Sequence, residues 1–444
     1  MKQLHIIGGG PAGLGIAVAA KERGLPFTLY EASDQPGGNA RTLSIAECLY
    51  DTGAHRFHDK NLEITTFIKS LLGDDLLSVS SPSVIYHKGR FIDFPLHLGS
   101  LIRSLTPKEL AQIVASIAIS RFRFHQRSER TSFKEVTTAR YGKALANLFL
   151  LNYSEKLWGV RTEQLSVEVS GGRLRGLTLR GLLKETFGRE KSVREHLDGS
   201  FYYPRKGIGT ISERLSEFAG SERIKRNSRI TRILRRGNQV TGIEVNGDDV
   251  FETERLISTL PISRLLQLLD PKPPDEILAT SSLLGFRHLL LVPIVIKRPY
   301  LTPNASVYFP DSSIPFTRLY ESKNRSHEMA PSDRTCVVLE LPSHPNSSEW
   351  ASANDHIAEL GLELINRVFG VQSEEVIAYK VDRIPFAYPI LDLEYATHVE
   401  KLLAYLSQFS NLTLAGRNGL FQYVHIHDLL AAGKKLIENI ASDQ

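Results

Sequence analysis

The chain has 444 residues, 42% of them hydrophobic, and its 54 Lys and Arg against 49 Asp and Glu give a formal charge of +5. That length buries a sizeable core and predicts two domains, while so mild an excess of charge carries no nucleic-acid signature. Two cysteines, Cys48 and Cys336, exclude a disulfide framework and offer no metal-ligand spacing, and no apolar run is long enough to span a bilayer.

In chain order, Leu4–Ile7 is a short apolar run suited to a buried parallel strand. Its early position leaves no room for a signal peptide, and a cytoplasmic location is expected. Gly8, Gly10 and Gly13 follow as G-x-G-x-x-G, and a helical pattern runs from Pro11 through Ala12 to Arg23. Gly8 suits a tight turn, Gly10 lets the backbone approach a pyrophosphate, and Gly13 lets helix pack on strand. Unpaired amides at the helix N-terminus then attract phosphate. Gly24–Pro26 stops the helix, Phe27–Tyr30 is a second strand, and Glu31 with Ala32 ends it. An acid about twenty residues past the glycines accepts hydrogen bonds from ribose hydroxyls. Strand, glycine turn, helix, second strand and acid together define a dinucleotide site.

Gly37-Gly38 lets the chain pass close to something flat or phosphorylated, with Asn39 and Arg41 beside it. Cys48–Asp51 reads as a strand leading to GAHRFH, which ends at His58, and Asn61–Leu72 as a helix. Val84–Tyr86 and Phe91–Phe94 flank a hairpin turn at Lys88-Gly89. Thr106 to Trp158 is helical, with Thr106-Pro107-Lys108-Glu109 as a start signal and a second start near Ser132 or Phe133. Between them lies a basic cluster, Arg121–Arg130, read as a helix end and solvated loop or as a contact with a membrane surface or polyanion. An arginine-rich stretch, Gly171–Arg194, precedes a predicted loop at Tyr202–Gly209 and a helix over Thr210–Ala219. Ile230–Leu234, Val240–Val245 and Val250–Glu252 form a β-meander, and the strand Leu256–Thr259 ends at Pro261. Strands are predicted at His288–Ile296, Ala305–Phe309 and Thr335–Leu341, and a helix at Asp355–Val368. The strand Leu412–Ala415 runs into the turn Gly416-Arg417-Asn418-Gly419, and Asp428–Ile440 closes the chain as a helix.

These motifs resemble the FAD-dependent flavoproteins of the amine oxidase and protoporphyrinogen oxidase type, and within them the UDP-galactopyranose mutase-like branch. The N-terminal signature is common to many FAD enzymes. Narrower matches are GAHRFHDKN to the mutases' G-P-H-x-F-H-T-x-N, YSEKLWG to their Y-T-x-K-x-W-G, and GRNGLFQY to their G-R-x-G-x-Y-x-Y. The resemblance implies an α/β fold: a Rossmann-type FAD-binding domain of the GR2-like kind (residues 1–80, 200–262 and 405–444) with an inserted mixed α+β substrate domain (81–199 and 263–404). It implies FAD held by Gly8, Gly10, Pro11, Ala12, Gly13, Glu31, Ala32, Gly38, Asn39, Arg41, Gly416 and Arg417, with His55 and His58 beside the isoalloxazine. Tyr153, Trp158, Arg173 or Arg175, Arg417 and Tyr423 would face the substrate. The sequence departs from these relatives at Ala54, where the mutases have Pro, and at His427, which fills a family aspartate position with Asp428 one place late.

The expected reaction is FAD-dependent oxidation of a biosynthetic small molecule, with a nucleotide-sugar or related glycosyl compound favoured. His55 and His58 are candidate bases because histidine titrates near neutral pH. Alternatives are a mutase using reduced FAD as nucleophile, with arginines stabilising the diphosphate leaving group, and a non-catalytic FAD-bound scaffold. No nucleic-acid partner, metal or transmembrane segment is expected, and peripheral membrane contact and oligomeric state stay open.

Overall fold

The strand Leu4–Ile7 (β1) is buried at all four positions because it has a parallel neighbour on each side. A computed structural model describes residues 3–96, 98–123, 132–170 and 200–442. The parallel sheet around β1 has the order Leu412–Leu414, Arg255–Ser258, β1, Phe27–Tyr30 (β2) and Ile224–Lys225, so it draws strands from four distant stretches of chain. Leu4 registers with Phe27 on one side and Arg255 on the other.

The helix Pro11–Glu22 (α1) has Pro at its first turn, where the missing N–H costs nothing. It packs against the C-terminal helix Ile426–Ser442 and against Gly209–Ala219. Close approach depends on small residues: a Cβ on Gly15 would lie 2.9 Å from Leu430 Cδ2, and one on Gly433 would lie 3.0 Å from Ile16 N.

A second layer is an eight-stranded sheet. Its order is Val376–Tyr379, Phe286–Ile296, Thr335–Ser343, Arg318–Glu321, Ser306–Tyr308, Ser83–His87 and Arg90–Phe94, with Asp382–Pro389 also on Phe286–Ile296. Phe286–Ile296 and Thr335–Ser343 are buried at every residue, which explains the apolar runs Leu289–Ile296 and Cys336–Leu339 within them. The predicted meander is present as Ile230–Arg236, Gln239–Val245 and Asp249–Glu252. Helices Pro107–Arg123, Phe133–Tyr141 and Asn152–Trp158 stand beside the large sheet, the second opened by a reciprocal Ser132–Glu135 capping box.

Several local expectations change. The predicted loop at Tyr202–Gly209 begins inside a strand, Ser200–Pro204, paired antiparallel with Leu76–Ser80. Phe201 and Tyr203 are buried and Tyr202 less so, an alternation that the flanking Pro204 and glycines mask in the sequence. The turn Gly416–Gly419 is a single helical turn. Arg318–Glu321, Val376–Tyr379 and Asp382–Pro389 are strands the sequence pattern does not announce, because two are short and the third carries two prolines. Gly171–Arg194, with Arg173, Arg175 and Arg180, lies outside the described residues, as does most of Arg121–Arg130.

Candidate active site

The glycines after β1 build a cradle that no side chain could share. Gly8 sits at φ +98°, and a Cβ there would meet Thr259 Oγ1 at 2.2 Å; a Cβ on Gly13 would lie 1.9 Å from the Gly8 carbonyl oxygen. Gly38, at φ +53°, passes so close to Gly10 that its Cβ would lie 3.1 Å from the Gly10 Cα. From the C-terminal end, Gly416 closes on Ala12 and Thr259 with equally little room. The N-terminus of α1 has Gly10 as its cap and no side chain bonding to it, so its amides stay available to an anion. Glu31 lies over the turn, accepting from Gly9 N at 2.7 Å, Ser33 N at 2.8 Å and Ser33 Oγ at 2.6 Å. Ala32 is exposed beyond the end of β2.

Two buried polar atoms among the described residues have no protein partner here: Arg41 Nε and Asn418 Oδ1. They flank the glycine cradle in chain position, on the loop after Gly37-Gly38 and in the Gly416–Gly419 turn. A donor and an acceptor of this kind, a glycine-walled groove and an uncapped helix N-terminus fit a dinucleotide with a diphosphate and a polar ring system.

Above the cradle runs the loop Gly53–His58. His55 Nε2 donates to the Asn39 carbonyl at 2.8 Å, which assigns the proton to Nε2 since a carbonyl only accepts. Burial, then the Arg417 guanidinium, pushes the His55 pKa down to about 3, against the raising effect of the Asn39 carbonyl. The loop is held from behind: Arg325 donates to the His55 carbonyl at 3.1 Å, and Ala54 N to Glu340 Oε1 at 3.1 Å. Arg325 is itself fully buried, 3.9 Å from Asp51, whose carboxylate accepts from Tyr203, Thr42 and Ile208. Phe57 meets His427 edge-on, and His58 meets Phe201.

Beside this loop lies a wall of aromatic rings set with two guanidiniums. Trp158 packs edge-on against Tyr388 and Tyr423, with ring centroids 6.0 and 5.5 Å away. Arg417 lies over Tyr423 at 5.4 Å and donates through Nε and Nη2 to the Val424 carbonyl. Tyr153 meets Tyr308 at 5.7 Å, and Arg318 lies over Tyr308 at 6.0 Å while pairing with Glu340 at 2.7 Å. The two halves touch electrostatically, since Arg318 and Arg417 both act on Tyr388 and on His55. Burial raises the phenols of Tyr153 and Tyr388 well above the usual range, so both stay protonated donors at neutral pH.

Of the residues expected at a site, the structure therefore brings together Gly8, Gly10, Pro11, Ala12, Gly13, Glu31, Gly38, Asn39, Arg41 and Gly416 around the cradle. It sets His55 beside Arg417, and joins Arg417 to Tyr423 and Trp158 in one aromatic chain. Tyr153 and Tyr308 reach it through Arg318, whose charge acts on both of them and on Tyr388. His58 packs against Phe201 and Ala32 is exposed, and Arg173 and Arg175 lie outside the described residues. Arg318, Glu340, Tyr308, Tyr388 and Arg325 are additions. They come from strands and a loop hundreds of positions past the glycines, and only the register of the large sheet reveals their convergence: Arg318 faces Glu340 across one ladder. His427, at the family aspartate position, lies 3.3 Å from Asp428 and stacks on His425.

A parallel dinucleotide sheet completed by the chain's last strand, with a largely antiparallel sheet carrying an aromatic and cationic wall, defines a two-layer flavoenzyme. The pattern of the family described as Flavin containing amine oxidoreductase matches residues 11–418, and the chain belongs to that family. It is an FAD-dependent enzyme of the amine oxidase class. In fold it is similar to a reduced UDP-galactopyranose mutase, with TM-score 0.86, 21% identity and 100% and 96% of the two chains covered. It is also similar to wild-type putrescine oxidase bound to putrescine, with TM-score 0.68, 15% identity and 99% of each chain covered. Among curated proteins it is 35% identical over 72 residues to hydroxysqualene dehydroxylase of Sinorhizobium fredii, covering 16% of this chain and 17% of that protein. It is 34% identical over 70 residues to mitochondrial protoporphyrinogen oxidase of Nicotiana tabacum, covering 16% and 14%. These curated matches span about a sixth of either relative's length. Among the described residues no helix is long and apolar enough to cross a membrane.

Proposed function

We propose that this enzyme is an FAD-dependent oxidoreductase acting on a nucleotide-sugar or related diphosphate-linked glycosyl compound. The observation that supports this most is the wall of Tyr153, Tyr308, Tyr388 and Tyr423 with Arg318 and Arg417 beside the His55 loop. Protonated phenols and guanidiniums are hydrogen-bond donors without competing negative charge, the chemistry that recognises a diphosphate. Glu340 offsets Arg318, so the site is only moderately cationic. Trp158 and the tyrosine faces suit a sugar ring or base.

FAD would supply a two-electron acceptor for a substrate C–H bond. The cradle residues Gly8, Gly10, Gly13, Gly38 and Gly416 would hold its diphosphate by backbone amides, and Glu31 its adenosine ribose. His55, neutral down to about pH 3, serves as a fixed hydrogen-bonding group in this reading. A base that weak takes up no proton at neutral pH. Its Nε2–H fixes the Asn39 turn, and its Nδ1 remains an acceptor.

A second reading, isomerisation of the sugar ring on reduced flavin, is favoured by the full-length fold similarity to a UDP-galactopyranose mutase. One anaerobic experiment separates the two. Oxidised enzyme mixed with UDP-sugars should lose its visible flavin band. Furanose product from UDP-galactopyranose appearing only after dithionite reduction would select the mutase reading. Bleaching by simple amines alone would overturn both.

A further inference from the structure

In the ladder between Phe286–Ile296 and Asp382–Pro389, Arg287 faces Tyr388 and Leu289 faces Ile384. One residue, His288, therefore stands opposite three, Pro385, Phe386 and Ala387. This bulge puts Phe386 at φ +53°, the left-handed region that a bulky aromatic seldom enters. Strain of this kind persists where surrounding contacts fix it. Here the Phe386 carbonyl is turned out of the ladder and accepts two side-chain amides, Asn39 Nδ2 at 3.1 Å and Asn418 Nδ2 at 2.9 Å. Asn39 follows Gly37-Gly38, whose Gly37 N donates to Gly9 O at 2.7 Å. Asn418 belongs to the turn that opens with Gly416, packed on Ala12.

We propose that the outturned Phe386 carbonyl is the joint that holds the two cofactor-binding turns in register with the substrate-side sheet, with Asn39 and Asn418 as its positioning residues. The joint reaches further through Asn39, whose own carbonyl accepts from His55 Nε2 at 2.8 Å and Thr52 Oγ1 at 2.8 Å. It also fixes the orientation of Asn418. With Nδ2 committed to Phe386, Oδ1 is left buried with no partner among the described residues. An N–H donor satisfies such an acceptor, and a flavin ring carries one. The inference concerns the FAD site and is independent of which substrate the enzyme takes.

The test separates backbone conformation from ring packing. Glycine adopts φ +53° without cost, whereas a β-branched residue does not. Apoprotein is reconstituted with FAD and followed by quenching of flavin fluorescence. The flavin reduction potential is then measured against a reference dye. Phe386→Gly should hold FAD affinity within about threefold of wild type, with an unchanged visible spectrum and potential. Phe386→Val should bind FAD at least about tenfold more weakly, and the pair Asn39→Ala with Asn418→Ala should do the same with a shifted flavin band and potential, the loss expected of two hydrogen bonds. If Phe386→Val does not fold, the asparagine pair, which leaves the strand's own residues intact, decides the matter. Equal loss in Phe386→Gly and Phe386→Val would show that the ring matters and overturn the proposal. So would an asparagine pair with wild-type affinity and potential.

Discussion

At the residue scale, the site rests on charges that are buried and compensated. Arg318 and Glu340 form a two-point ion pair in which Glu340 is 1% exposed and also accepts from Ala54 N. Removing one partner strands the other charge. Glu340→Gln should cost about 3–5 kcal/mol in chemical denaturation, whereas replacing both partners with apolar residues should cost far less. His55 gives a pH signature. Its folded pKa, about 3, lies below the ordinary histidine value of 6.5, so between those limits the unfolded chain binds more protons than the folded one. Its contribution to stability is therefore complete above pH 6.5 and is lost as pH falls towards 3. His55→Asn should flatten this acid limb, read as denaturation midpoint against pH. The glycines and Glu31 were legible in the sequence because each answers one local demand of a diphosphate turn. Arg318, Glu340 and Tyr388 were not, because nothing local marks an arginine, a glutamate or a tyrosine in a strand as facing a site. Only ladder register brings them together.

At the scale of elements, the cradle is the most constrained part. Gly13→Ala would place a methyl 1.9 Å from the Gly8 carbonyl, and the strand–helix turn would have to open. The purified variant should be colourless, measured as the ratio of flavin to protein absorbance. The helix Asn152–Trp158 shows a different device. Lys156 Nζ donates to the carbonyls of Phe309, Asp311 and Phe316 at 2.6, 2.9 and 2.9 Å, tying the segment after Ser306–Tyr308 to the aromatic wall. Burial pulls the Lys156 pKa down to about 7. Lys156→Met takes the donor from three carbonyls, those of Phe309 and Phe316 part-buried and that of Asp311 exposed, and should cost about 1–3 kcal/mol, with faster amide exchange over residues 309–317. The motif YSEKLWG was legible as a stretch, but the sequence pointed to Tyr153 and Trp158 and passed over the lysine between them. The turn-like composition of Tyr202–Gly209 likewise hid a strand, because Pro and Gly at one end outweighed the alternation at the other.

At the scale of the whole molecule, the chain returns three times to the sheet of its first strand: through Ile224–Lys225, Arg255–Ser258 and Leu412–Leu414. The opening fingerprint, Gly416-Arg417 and a second layer of strands were all readable before their arrangement was known. What could not be read was the joint between layers, since Phe386 looks like any aromatic strand residue until its φ and its two amide partners are seen. We propose the division into a discontinuous FAD domain (1–80, 200–262 and 405–444) and an inserted substrate domain as the description of these layers. Because FAD binds only the assembled cradle, saturating FAD should raise the melting temperature of the apoprotein in a concentration-dependent way. The substrate claim is tested most directly by calorimetric titration of the FAD-loaded enzyme with UDP. Saturable binding that weakens at least about tenfold in Arg417→Met, and falls with added salt, is the predicted result. Absence of UDP binding at millimolar ligand, together with flavin bleaching by a diamine, would contradict it.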